Sequence, residues 1–169
     1  MAGKKYIQLG TAGLEEVAAT DSSAGVGDAG ELVALGASGK IALNMMPSGI
    51  GPATKSIIAS EAITAPALVN IWNDASVAKI RKADAATNKP ANGFILASVA
   101  SAAVAAVYFE GEVTGLSGLT AGKVWLSSTV PGATQATIPT TAGHIAQPVG
   151  WVTSATTIDF ESGDPITRA

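Results

Sequence analysis

The chain contains one histidine, His144, and no cysteine. A mixed His-Cys zinc site is therefore impossible, and any metal would have to rest mainly on carboxylates. Fourteen serines and six aspartates could complete a Ser-His-Asp triad with His144. No serine, however, sits in the G-x-S-x-G elbow that exposes such a nucleophile, and Gly143-His144 reads as a turn leading into a strand. Two carboxylate pairs have the composition of a glycosidase acid and base, Glu15-Glu16 and Glu110/Glu112. On a strand, adjacent Glu15 and Glu16 face opposite sides. Glu110 and Glu112 flank Gly111 at an expected strand end, where solvated carboxylates are ordinary.

The phosphate-binding signals are equally incomplete. Gly25-Val-Gly-Asp-Ala-Gly30 matches G-x-G-x-x-G, but the motif works only between a strand and a helix whose N-terminus faces the pyrophosphate. Here a Ser/Asp-rich stretch precedes it and the strand-like Leu32-Val-Ala-Leu35 follows. Gly39-Lys40 and Gly122-Lys123 lack the earlier glycine and the following Ser or Thr of a P-loop. Lys79, Arg81 and Lys82, with Lys89 nearby, form the one basic cluster and read as a solvated face. A formal net charge of −3 weakens nucleic-acid binding further. Trp72, Trp125 and Trp151 each lie in or beside an apolar strand. Trp125 is expected in the core; Trp72 and Trp151 are expected in the core, at a subunit interface, or as a sugar-stacking surface.

The elements that must position these residues come from a chain poor in large side chains. Of its 169 residues, 33 are alanine, 19 glycine, 16 threonine and 14 serine, and only 14% are charged. Low charge with many apolar residues argues against disorder, and the absence of cysteine excludes a disulfide scaffold. No signal peptide is expected behind Met1-Ala-Gly-Lys-Lys-Tyr6. Residues 91–109 carry no charge, but their Ala/Ser content and local alternation suit two strands better than a membrane helix. Strands are expected at 55–60, 67–72, 77–82, 93–99, 104–110, 123–127, 145–153 and 156–161, separated by turns such as Asn73-Asp74 and Pro131-Gly132. Ile158 and Phe160 should face one way, with Asp159 and Glu161 facing the other.

The fold class expected is mainly β: a small β-sandwich or barrel body, 54–169, behind an extended, glycine-rich N-terminal arm, 1–53. Within the arm, 31–35 and 40–43 read as short strands around Gly36-Ala-Ser-Gly39, and a helical turn is possible near residues 15–19.

Glu31-Leu-Val-Ala-Leu-Gly-Ala-Ser-Gly-Lys-Ile-Ala-Leu-Asn-Met-Met-Pro-Ser-Gly-Ile-Gly51 resembles the N-terminal signature of capsid cement, or head decoration, proteins of tailed bacteriophages. Further pieces are similar in order: Ser60 to Trp72, Arg81-Lys-Ala-Asp84, Asn92-Gly-Phe-Ile-Leu-Ala97, Val107-Tyr-Phe-Glu-Gly111, Gly118 to Ser127, Val149-Gly-Trp-Val-Thr-Ser154 and Pro165-Ile-Thr-Arg-Ala169. Pro66 departs from the pattern, standing where a glycine is usual. The resemblance spans about residues 32–169. It implies a non-enzymatic virion protein made in the host cytoplasm, a homotrimer on the outer capsid surface that links neighbouring major capsid subunits. No cofactor, metal, nucleic acid, membrane or small-molecule substrate is implied. Tyr6, Met45, Met46, Pro47 and Ile50 are the expected capsid contacts, and Trp72 and Trp151 the expected subunit interface. Two other classes remain open: a fibre-type receptor- or carbohydrate-binding β-domain, and a β-rich hydrolase using His144.

Overall fold

A computed structural model describes residues 5–11, 13–46 and 53–169. Its described residues form fourteen strands and two single 3₁₀ turns, so the chain is mainly β. They divide into two compact units, Met1–Gly51 and Pro52–Ala169.

The first unit opens with an antiparallel hairpin of β1 (Lys5–Gly10) and β2 (Gly13–Ala18), in which Leu9 pairs with Leu14 and Tyr6 with Val17. The helical turn that the sequence allows near 15–19 does not form, because the backbone of β2 is committed to cross-strand bonds. Nor is the start of this unit simply extended chain. Beyond the hairpin come 3₁₀ turns at Val26–Asp28 and Leu43–Met45. The turn expected at 36–39 is present, with Gly39 N donating to Gly36 O and Gly36 N to Lys40 O, both at 2.9 Å. Its flanks are not the expected strands. Residues 31–35 contribute only a bridge from Val33 to Thr20. Leu32, Val33 and Leu35 stay exposed, and without a buried face the segment forms no sheet among the described residues.

The second unit has two layers. β3 (Thr54–Ala59), β4 (Ala67–Asp74), β5 (Val77–Lys82), β6 (Gly93–Ile95) and β7 (Val104–Tyr108) close into a barrel in the order β3-β5-β4-β6-β7. A second sheet runs β10-β9-β12-β13-β8. Its strands are β8 (Gly111–Thr114), β9 (Gly122–Leu126), β10 (Thr134–Gln135), β12 (Pro148–Ser154) and β13 (Thr157–Phe160). The short pair β11 (Ile145–Ala146) and β14 (Ile166–Thr167) stands apart from it.

Strand alternation feeds two cores. Ile57, Val69, Ile80, Ile95 and Val107 fill the barrel. Leu68 and Phe94, opposite each other on β4 and β6, project the other way and meet Val124, Leu126, Ile158 and Phe160 of the second sheet. Phe94 stacks on Tyr108 and meets Phe160 edge-on, each at 5.3 Å between ring centroids. Gly93 is required beside it, since a Cβ there would lie 2.5 Å from Tyr108 O.

Several expected boundaries move for identifiable reasons. The turn expected at Asn73-Asp74 lies two residues later: Asn73 and Asp74 pair with Ala78 and Val77, and Ala75 and Ser76 take positive φ. That is the requirement of a type I′ hairpin turn. Residues 93–99 stay in strand only to Ile95, although Val99 still bridges Ile63. The strand expected at 145–153 breaks at Gln147. Its buried amide accepts from Ala91 N at 2.7 Å and donates to Ala91 O at 2.9 Å, Gly163 O at 3.1 Å and Ser162 Oγ at 3.2 Å. β8 is an additional strand, paired with β13. Ile158 and Phe160 are buried, and Asp159 and Glu161 exposed, as alternation requires.

Phe94→Ala removes the ring that contacts both Tyr108 and Phe160 and should cost about 3–5 kcal/mol of unfolding free energy. Val104→Ala, at an exposed barrel position, should stay within about 0.5 kcal/mol. Urea titrations followed by near-UV circular dichroism measure both.

Candidate functional site

Two surfaces carry side chains that the fold leaves unused. The first is in the N-terminal unit. Hairpin pleating sets Ile7, Leu9 and Leu14 on one face, where they are 70%, 81% and 78% exposed. Val26, Leu32, Val33, Leu35, Ile41 and Met46 are exposed as well. Only Ala34, at 9%, is buried among the unit's described side chains. Each large apolar side chain that a partner covered would contribute about 1.5–3 kcal/mol.

Tyr6 lies on the opposite face of the hairpin, where its hydroxyl donates to Glu31 Oε2 at 2.9 Å. This hydrogen bond raises the phenol above its ordinary pKa, because ionisation would lose the donor and set two negative charges together. Met45 is half-buried at the end of a 3₁₀ turn and Met46 exposed just after it. Pro47 and Ile50 lie outside the described residues.

The second surface is the solvent face of the five-stranded sheet. On β9, Val124 and Leu126 point into the core, so Lys123 and Trp125 point out. Trp125 is thus a half-buried surface residue and not the core residue expected from its apolar neighbours. On β12 a bulge between Pro148 and Gly150 lets Val149 and Gly150 both turn inward and re-aims Trp151 to solvent. Gly150, at φ +135°, is held to glycine by the carbonyl of Asp159, which a Cβ would overlap. Trp151 pairs with Lys123 on one side and Asp159 on the other, and Asp159 with Glu112 beyond it. Lys123 Nζ sits 5.6 Å from the ring centroids of both Trp125 and Trp151. Such contacts at exposed sites contribute about 0.5–1 kcal/mol and hold the side chains in place.

Trp72 differs. Arg81 lies over its ring at 4.7 Å, and its Nε1 donates to Ser60 Oγ at 3.3 Å. Arg81 Nε in turn donates to Asn70 Oδ1 at 2.9 Å, while Lys79 pairs with Asp74 at 2.6 Å. The basic cluster is therefore half-buried and tied internally, more than the freely solvated face expected.

The residues with catalytic chemistry are not brought together. His144 is in the turn before β11 with its Nδ1 buried and unpartnered. Glu15 and Glu16 point to opposite faces of β2, and Glu110 and Glu112 are exposed on either side of Gly111. No group of three His, Cys, Asp or Glu side chains converges as a metal site among the described residues. The G-x-G-x-x-G stretch forms a 3₁₀ turn without a following helix. Gly122-Lys123 opens β9 and Gly39-Lys40 closes a turn. No helix among the described residues is long and apolar enough to cross a membrane.

With Tyr108→Phe leaving Tyr6 as the sole tyrosine, absorbance titration at alkaline pH should give a midpoint above the ordinary phenol value of about 10. Adding Glu31→Gln should lower that midpoint; an unchanged midpoint would remove the hydrogen bond from the account. Comparison with known proteins adds no name to these surfaces: no protein-family model, curated protein or solved structure matches the chain.

Proposed function

We propose that this chain is a structural virion protein, a capsid cement or decoration subunit that acts as a homotrimer on the outer surface of a tailed-phage head. It links neighbouring major capsid subunits and opposes expansion of the shell under packaged DNA. The sequence resemblance suggests the family. The observation that supports it best is the uncovered apolar face of Ile7, Leu9 and Leu14, next in sequence to a body that has its own two cores.

The division of labour suits attachment. The body has two cores of its own, whereas the N-terminal unit has apolar side chains whose burial awaits another surface. Three such units on one trimer raise the effective concentration of the second and third contacts, so modest contacts add to durable attachment. Met45 and Met46 add adaptable side chains to the same unit. Trp72, with exposed Val77 on the neighbouring strand, is the part of the barrel surface that a second subunit would cover. A fibre-type carbohydrate-binding domain is the second reading, supported by the exposure of Trp151.

Co-sedimentation with undecorated, expanded phage shells tests the first reading. The intact chain should pellet with shells of its own phage and run as a trimer in sedimentation velocity. Ile7→Asp/Leu9→Asp should remain folded and lose shell binding by about tenfold or more, a change of at least about 1.4 kcal/mol. An intact chain that pellets with no shell would overturn the reading.

A further inference from the structure

We propose that the solvent face of the five-stranded sheet carries a subsite for a neutral saccharide, with one pyranose ring stacked on Trp151 and its hydroxyls bonded by Lys123 and Glu161. Trp151 is the most exposed of the three tryptophans: it is 53% exposed, with the Lys123 ammonium 5.6 Å from its ring centroid, whereas Trp72 lies under Arg81 and Trp125 is half-buried. Beside it lies a shallow cavity of about 140 Å³ lined by Lys123, Pro148, Gly150, Trp151, Glu161 and Gly163. Its floor is bare by necessity. Gly150 holds φ +135°, and a Cβ on Gly163 would lie 2.5 Å from Pro148 Cγ. The volume is well below the roughly 300–1,000 Å³ of a drug-sized site, so it takes one ring and leaves the rest of a chain in solvent.

The lining selects the ligand class. A carboxylate only accepts and an ammonium only donates, and Glu161 and Lys123 line the same cavity as the Trp151 ring. A pyranose with equatorial hydroxyls offers a flat C–H face to the indole, with hydroxyls at its edge that donate and accept. It can therefore satisfy Glu161 and Lys123 together. A second copy of this chain is a poorer occupant. Asp159, beside Trp151, stands directly opposite Glu112, and both are exposed. Covering them with protein would desolvate two like charges, where interface centres are normally depleted of charge. Anionic ligands are disfavoured too, since Asp159, Glu112 and Glu161 outnumber Lys123 on this face.

This inference does not rest on capsid attachment. Saturation-transfer NMR on the intact chain with cellotriose, triacetylchitotriose and β-1,4-galactotriose tests it. At least one sugar should receive saturation, strongest at the ring protons of a single residue. Trp151→Ala should weaken that binding by about tenfold or more, while Trp151→Phe retains part of it and Trp72→Phe leaves it unchanged. Near-UV circular dichroism confirms that each variant is folded. No transfer to any of the three sugars, or undiminished binding by Trp151→Ala, overturns the proposal. So does a Trp151→Ala chain that changes oligomeric state or loses shell binding, since Trp151 would then belong to a protein contact. A wild-type chain that binds sugar but pellets with no shell would overturn the capsid reading and leave this one standing.

Discussion

The wall formed by β4 and β6 is buried on both faces, and the rest of the body depends on it. Val69 and Ile95 face into the barrel from this wall, while Leu68 and Phe94 face the second sheet. A chain with 33 alanines and 19 glycines has few large side chains to spend. Using one wall for two cores lets three strand residues of β6 do the packing of a longer element. Phe94 is the point where the layers meet, in ring contact with Tyr108 and Phe160. Backbone bonds reinforce it: Leu68 N donates to Gly132 O, Ala85 N to Ser127 O and Ile145 N to Ala85 O. Gln147 adds a buried amide that ties residue 91 to the segment at 162–163. In an alanine-rich interior these directional bonds specify position where side-chain shape does not.

What this arrangement leaves over is informative. With one face of the second sheet committed to Phe94 and Leu68, the other is free for Trp125, Trp151, Lys123, Asp159 and Glu112. The bulge in β12 decides that Trp151 belongs to it. The N-terminal unit is the reverse case. It has hydrogen-bonded structure in its hairpin but little interior, so its apolar side chains remain available. The body thus has two cores of its own, while the N-terminal unit leaves most of its large apolar side chains exposed.

Much of the body was legible from residue order. Alternation at 156–161 identified both the strand and its buried face, because Ile158 and Phe160 differ so plainly from Asp159 and Glu161. Turn residues marked most strand boundaries correctly. Three departures from residue order share one cause, local ambiguity that only pairing resolves. Gly13-Leu-Glu-Glu-Val-Ala18 suits a helix as well as a strand until β1 is laid beside it. Ala75-Ser76 carries no turn signature, yet the register of β4 on β5 forces positive φ there. Trp125 looks like a core residue among Val124 and Leu126, and the pleat alone turns it outward. At the candidate sites, the exposure of Trp151 and its alignment with Lys123 and Asp159 could not be read, since they come from three different strands.

By itself the sequence determined that the protein is mainly β, that it lacks a thiol or a histidine cluster for chemistry, and that its glycine-rich first third differs in texture from the remaining two thirds. Those properties arise from composition and from period-two patterning, which act locally along the chain. Tertiary structure alone decided which face of each strand became interior, where the two cores divide, and which tryptophan stayed in solvent. Such outcomes depend on register and bulges between strands distant in sequence, where a shift of one residue reverses every side chain.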